Sequence, residues 1–187
     1  MKNRYLIILF LLTILACSPD SFVLNKYGEN NPIYVKMLNG IDKAEKINNN
    51  SLKINSDAIV SLKFMEKTQD VKEFDIQLLK GKEINLYLYT TEAEFEEKAD
   101  IKIILSTENY QILQNNKNIA QSDTLKLIPL QNHRIRIKQD GILLKFSIDC
   151  ADITLQVHHY NSSEYLIFRT KEEAEVLVNG ITIQENY

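Results

Sequence analysis

The stretch "HRIRIKQDGILLKFSID", residues 133–149, reads as a strand, a turn and a second strand. Ile135 and Ile137 alternate with Arg134, Arg136 and Lys138, the period of a half-buried strand. Asp140-Gly141 is a strong hairpin signal, because both positions accept positive φ. With these two as the turn, Ile137 faces Leu144, Ile135 faces Phe146 and His133 faces Ile148. The apolar positions then coincide on one face, which supports the register. The other face pairs Arg136 with Lys145, Arg134 with Ser147 and Lys138 with Leu143. Like charges directly opposite are destabilising. A neighbouring strand that supplies acids or amides is therefore expected, with the cations on a solvated face. The sharper alternative is an anion-binding patch for acidic glycan or phosphate, which makes Arg134, Arg136 and Lys145 candidate ligand-binding residues.

The same period recurs along the chain. Val60, Leu62 and Phe64 alternate with Ser61 and Lys63. Ile84, Leu86 and Leu88 alternate with Asn85, Tyr87 and Tyr89. Ile101, Ile103 and Leu105 follow, then Leu125 and Leu127, and near the end Val176, Val178, Ile181 and Ile183. Turn signals separate them at Lys80-Gly81-Lys82, Asn115-Asn116, Gln139-Asp140-Gly141 and Asn179-Gly180. About a dozen or more short strands at this spacing predict an all-β, two-sheet antiparallel sandwich. The one stretch that reads as helical is residues 91–99, with a charged loop the alternative. It opens like a capping box, with Glu94 three residues after Thr91, and carries Lys98 near its end. Its acids Glu92, Glu94, Glu96 and Glu97 suit a solvated helix face.

At the N-terminus, Lys2 and Arg4 precede an apolar run at residues 5–16, a length that suits a signal sequence and is too short for a mature span. Residues 14–17, Ile14-Leu15-Ala16-Cys17, resemble the lipobox of bacterial lipoproteins. The customary Leu and small residue are replaced by Ile14 and Leu15, as in the looser boxes of spirochaetes. The resemblance implies a signal peptide at residues 1–16, cleavage before Cys17 and lipidation of Cys17. The polar, turn-rich residues that follow read as a tether, giving a lipidated Cys and tether at residues 17–32 and a single domain at residues 33–187. More than one acyl chain would make the membrane anchoring stable. The location implied is the cell envelope, most simply the outer membrane, on its surface or periplasmic face.

About 170 mature residues can bury a full core, so one domain is the natural count. The net charge of −3 becomes more acidic once Lys2 and Arg4 are removed. Mild acidity without a long basic run argues against nucleic-acid binding. Cys150 is the only other cysteine, so no intramolecular disulfide is expected. Burial in the core is its expected state, with a reactive thiol the alternative.

Residues 48–64, 133–149 and 163–184 resemble the framework of the concanavalin A-like jelly-roll superfamily, which includes laminin G-like, sugar-binding and glucanase domains. The resemblance is one of strand pattern over most of residues 40–185. His133 stands where relatives often carry Trp before the hairpin, and Asp149-Cys150 stands for the usual Asp-Gly after it. The family's enzymes use carboxylates on one strand in a Glu-x-Asp-x-x-Glu arrangement, where spacing by two puts both acids on one face. Residues 73–78, Glu73-Phe74-Asp75-Ile76-Gln77-Leu78, carry the first two acids and lack the third.

Other chemistry is sparse. His158-His159 would point to opposite faces of a strand and cannot easily grip one ion, so no metal site is expected. No Gly-x-Ser-x-Gly, phosphate-binding Gly-rich loop or Cys-x-x-Cys occurs, and there are five glycines in all. Tyr87 and Tyr89 share the non-core face of their strand and are candidate sugar or protein contacts. They would otherwise pack under residues 91–99, and the absence of Trp weakens a sugar platform. The expectation is a lipid-anchored envelope protein that binds a glycan or an envelope or host protein, without cofactor or catalysis. The alternatives are a glycan-active hydrolase and a structural envelope protein.

Overall fold

The computed structural model describes residues 21–25, 32–64, 71–140, 142–157 and 165–184. They form fifteen strands and one turn of helix. The strands are β1 (Ser21–Asn25), β2 (Pro32–Met37), β3 (Ala44–Asn48), β4 (Ser51–Ile54), β5 (Ile59–Phe64), β6 (Val71–Lys80) and β7 (Glu83–Leu88). After the helical turn α1 (Phe95–Lys98) come β8 (Ile101–Ser106), β9 (Tyr110–Gln114), β10 (Lys117–Ser122), β11 (Asn132–Asp140) and β12 (Leu143–Ile148). Strands β13 (Ala151–Gln156), β14 (Tyr165–Thr170) and β15 (Glu175–Gln184) complete the chain. An eight-stranded sheet runs β1-β2-β5-β14-β7-β8-β9-β10 and a seven-stranded sheet runs β13-β12-β11-β6-β15-β4-β3. Every pairing is antiparallel. The all-β antiparallel sandwich expected from the period-two patterns is the observed fold.

Alternation explains the packing. Phe74, Ile76 and Leu78 of β6, Ile135 and Ile137 of β11, and Phe146 of β12 are buried in one apolar core with Leu86, Ile103, Leu166 and Phe168 of the other sheet. Phe74 and Phe168 meet edge to face across the sandwich, centroids 5.5 Å apart. Thr170 is fully buried; its hydroxyl donates to Asn55 O at 2.6 Å and accepts from Ala58 N–H at 2.8 Å. The start of β5 is thereby tied to the end of β14.

The structure corrects several local expectations. The opening hairpin is shifted by two residues: Ile135 faces Ile148, Ile137 faces Phe146 and Lys138 faces Lys145. Arg136 now faces Ser147, so Lys138, not Arg136, is opposite Lys145. A two-residue shift keeps every side chain on its face, so the hydrophobic pattern cannot tell the two registers apart. Gly141, expected in the turn, lies outside the described residues. Leu125 and Leu127 lie between β10 and β11 and form no strand; Leu127 is nonetheless buried, and its N–H donates to Ser106 O at 2.8 Å. Asn179-Gly180 is no turn but a bulge inside β15, with Gly180 at φ +58°. Part of the expected tether is strand β1, because Leu24 is fully buried against the core.

The helical stretch shrinks to one turn, and no side chain caps it. The Glu94 carboxylate is instead 2.5 Å from Lys98 Nζ. Phe95, the buried residue of that turn, packs on Tyr87 and Ile167 on the outside of the eight-stranded sheet.

Candidate functional site

The outer face of the seven-stranded sheet carries the hairpin cations. β11 lies beside β6 in a register that sets Arg134 opposite Asp75 and Arg136 opposite Glu73. Arg134 grips the Asp75 carboxylate with both Nε and Nη2, and its Nη1 is 3.9 Å from Glu73 Oε2. Arg136 Nε is 3.0 Å from Glu73 Oε1. The Asp75 hydrogen bond raises the Arg134 pKa further above its already high value. The neighbouring strand thus supplies the acids that the sequence called for. Gln77, next along the same face, donates to Leu130 O at 2.6 Å. Lys145 is exposed on this face between Lys138 and Thr154, outside the quartet.

Tyr87 and Tyr89 do not form a pair. β7 ends at Leu88, and Tyr89 takes a left-handed φ of +56° that turns it against the main core. Tyr87 stays on the outer face of the eight-stranded sheet, 4% exposed, with Phe95 edge-on at 5.0 Å. Lys102 Nζ lies over its ring, 5.4 Å from the centroid. Burial pushes the Tyr87 hydroxyl up in pKa, against a lowering by its hydrogen bond to Arg169.

Tyr87 forms one wall of a groove of about 640 Å³ on this face. Strands β14, β7 and β8 lie side by side and bring Arg169, Asn85 and Lys102 into it. The rim comes from the tight turns at Gly81-Lys82 and at Lys171-Glu172-Glu173. Arg169 Nη1 is 2.6 Å from Glu96 of α1. Lys171 Nζ lies 2.7 Å from Glu83 Oε1, near enough for an ion pair though off the angle of a hydrogen bond. Two groups are left over. Asn85 is 1% exposed, and its Oδ1 has no hydrogen-bond partner among the described residues. Lys102 forms no ion pair among the described residues; burial, then repulsion from Lys171, lowers its pKa. None of Asn85, Lys102 and Arg169 stands out in the sequence, where they are only polar breaks in apolar alternation.

A second cavity, about 390 Å³, lies at the end of the hairpin between His133, Asp149 and Cys150. His133 is buried. Its Nε2 accepts from Ile128 N–H at 2.8 Å, so Nδ1 carries the proton and donates to Asp149 Oδ2 at 2.8 Å. Asp149 Oδ1 accepts from Arg134 N–H at 2.9 Å. With both ring nitrogens engaged, His133 is not placed to act as a base toward Cys150. Cys150 is exposed, contrary to its expected burial, because it sits in the turn after Asp149, whose φ is +55°. Cys17 and His158-His159 lie outside the described residues.

No family model matches the sequence, and no curated protein matches it. Among solved structures the chain is similar to carbohydrate binding module CBM66 from Bacillus subtilis, with a TM-score of 0.62 at 13% identity over 81% of this chain and 95% of that one. It is similar to a β-glucanase of Bacillus licheniformis, with a TM-score of 0.58 at 9% identity over 91% of this chain and 100% of that one. A third similar structure is the exoplasmic/lumenal domain of VIP36 in a Ca²⁺/Man-bound form, with a TM-score of 0.55 at 10% identity over 90% of this chain and 97% of that one. These likenesses show the fold, a concanavalin-like jelly roll.

Proposed function

We propose that the protein is an envelope lipoprotein, anchored through Cys17, whose sandwich binds glycan in the groove of the eight-stranded sheet. One observation carries the choice of site: Asn85 Oδ1 is buried at the groove without a partner. A buried acceptor left unpaired costs about 1–3 kcal/mol, and a ligand hydroxyl that donates to it, once the groove side chains shift to admit it, recovers part of that cost. The likeness to a carbohydrate binding module supports the same reading. Isothermal titration of the full chain against a panel of neutral and acidic oligosaccharides tests it. At least one saccharide binds, and Asn85→Leu weakens it about fivefold, the worth of one hydrogen bond. Silence across the whole panel rejects the glycan reading. Anchoring is tested separately, by metabolic labelling with a radioactive fatty acid: the label enters the wild type and not Cys17→Ala.

A second reading, glycan hydrolysis, draws on Glu73 and Asp75. They share the outer face of β6, the central strand of the seven-stranded sheet, with Cα atoms about 7 Å apart. Against it, each is held by a guanidinium, and Gln77 stands next along the face where an acid would serve. Release of reducing ends by the wild type, abolished in Glu73→Gln, would establish hydrolysis.

A further inference from the structure

We propose that the groove of the eight-stranded sheet selects sugars that carry a negative charge, seated by Lys102 and Arg169 with a neighbouring hydroxyl donating to Asn85 Oδ1. The proposal deepens the glycan-binding reading and rests on it. Three observations lead to it.

First, the groove offers no open aromatic face. Phe95 closes on Tyr87 from one side, and the Lys102 ammonium covers the ring from another. Stacking, the usual means of holding a neutral sugar ring, is blocked there, so recognition falls to charge and hydrogen bonds. Second, Lys102 has no ion-pair partner among the described residues, although the other two inner cations of the groove do. Lys171 has Glu83 and Arg169 has Glu96, but Lys102 has only the π-face of Tyr87. Burial and the neighbouring cations Lys171 and Arg169 disfavour its charge more than Glu83 and Glu96 favour it, a balance that an incoming anion shifts. The remaining acids of the lining, Asp57, Glu172 and Glu173, are exposed at the rim, where solvent screens them. Third, Arg169 already holds a carboxylate. Glu96 reaches it from α1, a single uncapped turn that is exposed on all but its Phe95 side. A ligand anion can take the same position, with Glu96 as its competitor.

The ligand chemistry is an anionic group on a pyranose or furanose ring, and carboxylate and sulfate both meet it. Titration of the full chain therefore uses three arms of equal length: an oligouronate, a sulfated oligosaccharide and the uncharged parent. Binding of either anionic arm at least tenfold tighter than the parent supports the proposal, and the tighter of the two names the anion. Lys102→Met then weakens that arm about tenfold or more, the worth of one charge-assisted hydrogen bond. Glu96→Gln strengthens it severalfold, a change that a misfolded variant cannot mimic. Equal affinity for charged and neutral arms overturns the charge selection and leaves the glycan reading standing. Anionic binding that survives Lys102→Met and is lost in Arg134→Ala/Arg136→Ala overturns the choice of site. Absence of binding in all three arms and across the neutral panel overturns both.

Discussion

Lys102 and Asp149 show how a single side chain carries opposite costs in this fold. The pKa of Lys102 lies below the ordinary lysine value of 10.5, chiefly because burial disfavours the ammonium. Between that lowered value and 10.5 the unfolded chain binds more protons than the folded one, so stability rises with pH through this window. Below the window the charge is present in both states and the full penalty is felt. Lys102→Met removes it, and Tm is expected to rise by about 1–2 °C at neutral pH, read by calorimetry. The same variant is the one expected to lose anion binding. A residue that lowers stability while serving a ligand is what a binding site leaves behind. Anion affinity of the wild type should fall as pH rises into the region just below 10.5, earlier than an ordinary lysine would allow. Asp149 works the other way. It accepts the Nδ1–H of buried His133 and the N–H of Arg134. Asp149→Ala leaves both donors without it and is expected to cost about 1–3 kcal/mol in urea unfolding, with Asp149→Asn, which keeps one acceptor, costing less. Nothing in the sequence joins His133 to Asp149, because sixteen residues and a hairpin separate them.

Among the elements, the turns are where the sequence is most and least informative. Asn115-Asn116 does form the β9–β10 turn, with φ of +48° and +62°, as two residues that tolerate the left-handed region should. Gly81 likewise turns β6 into β7 at φ +81°. A Cβ there would sit 2.4 Å from the Ala174 backbone, so glycine is required twice over, by conformation and by the approach of the β14–β15 turn. Gly81→Ala is expected to cost about 2–4 kcal/mol in denaturant unfolding. Asn179-Gly180 carries the same signal and yet continues a strand. Both uses exploit positive φ, and only the partners β6 and β4 decide between them. The hairpin register failed for a related reason. Its two alternatives bury the same residues, and the choice goes to the one that lets the Asp149 side chain meet His133 and its N–H donate to Arg134 O at 2.8 Å. Short apolar alternation is therefore enough to find strands, and insufficient to align them.

At the scale of the whole molecule, the two outer faces have diverged. Each strand turns every second residue outward, so a sandwich has two outer surfaces with one core between them, the sheets about 10 Å apart, and β5, β7 and β14 bury part of their outer face as well. The core was legible, because burial follows alternation within each strand. The groove was not, because β14, β7 and β8 become neighbours only through long-range pairing, with Arg169 opposite Asn85 across 84 positions of sequence. On the seven-stranded face Arg134 and Arg136 are matched by Asp75 and Glu73. On the eight-stranded face Lys102 has no ion-paired carboxylate among the described residues. On the reading proposed above, the first arrangement serves the sheet and the second a ligand. Arg134→Ala/Arg136→Ala should then lower stability by about 1–2 kcal/mol, since two half-exposed pairs are lost and Glu73 is left largely buried. Its affinity for an anionic saccharide should be unchanged. Lys102→Met should do the reverse. No side chain of one set contacts the other, so combining them is expected to give stability changes that add to within about 0.5 kcal/mol, and an affinity equal to that of Lys102→Met alone. Denaturant unfolding and saccharide titration of the three variants check this. A combined variant whose stability departs from the sum by more than that margin would mean that the core couples the two faces, and the division of labour between them would not hold.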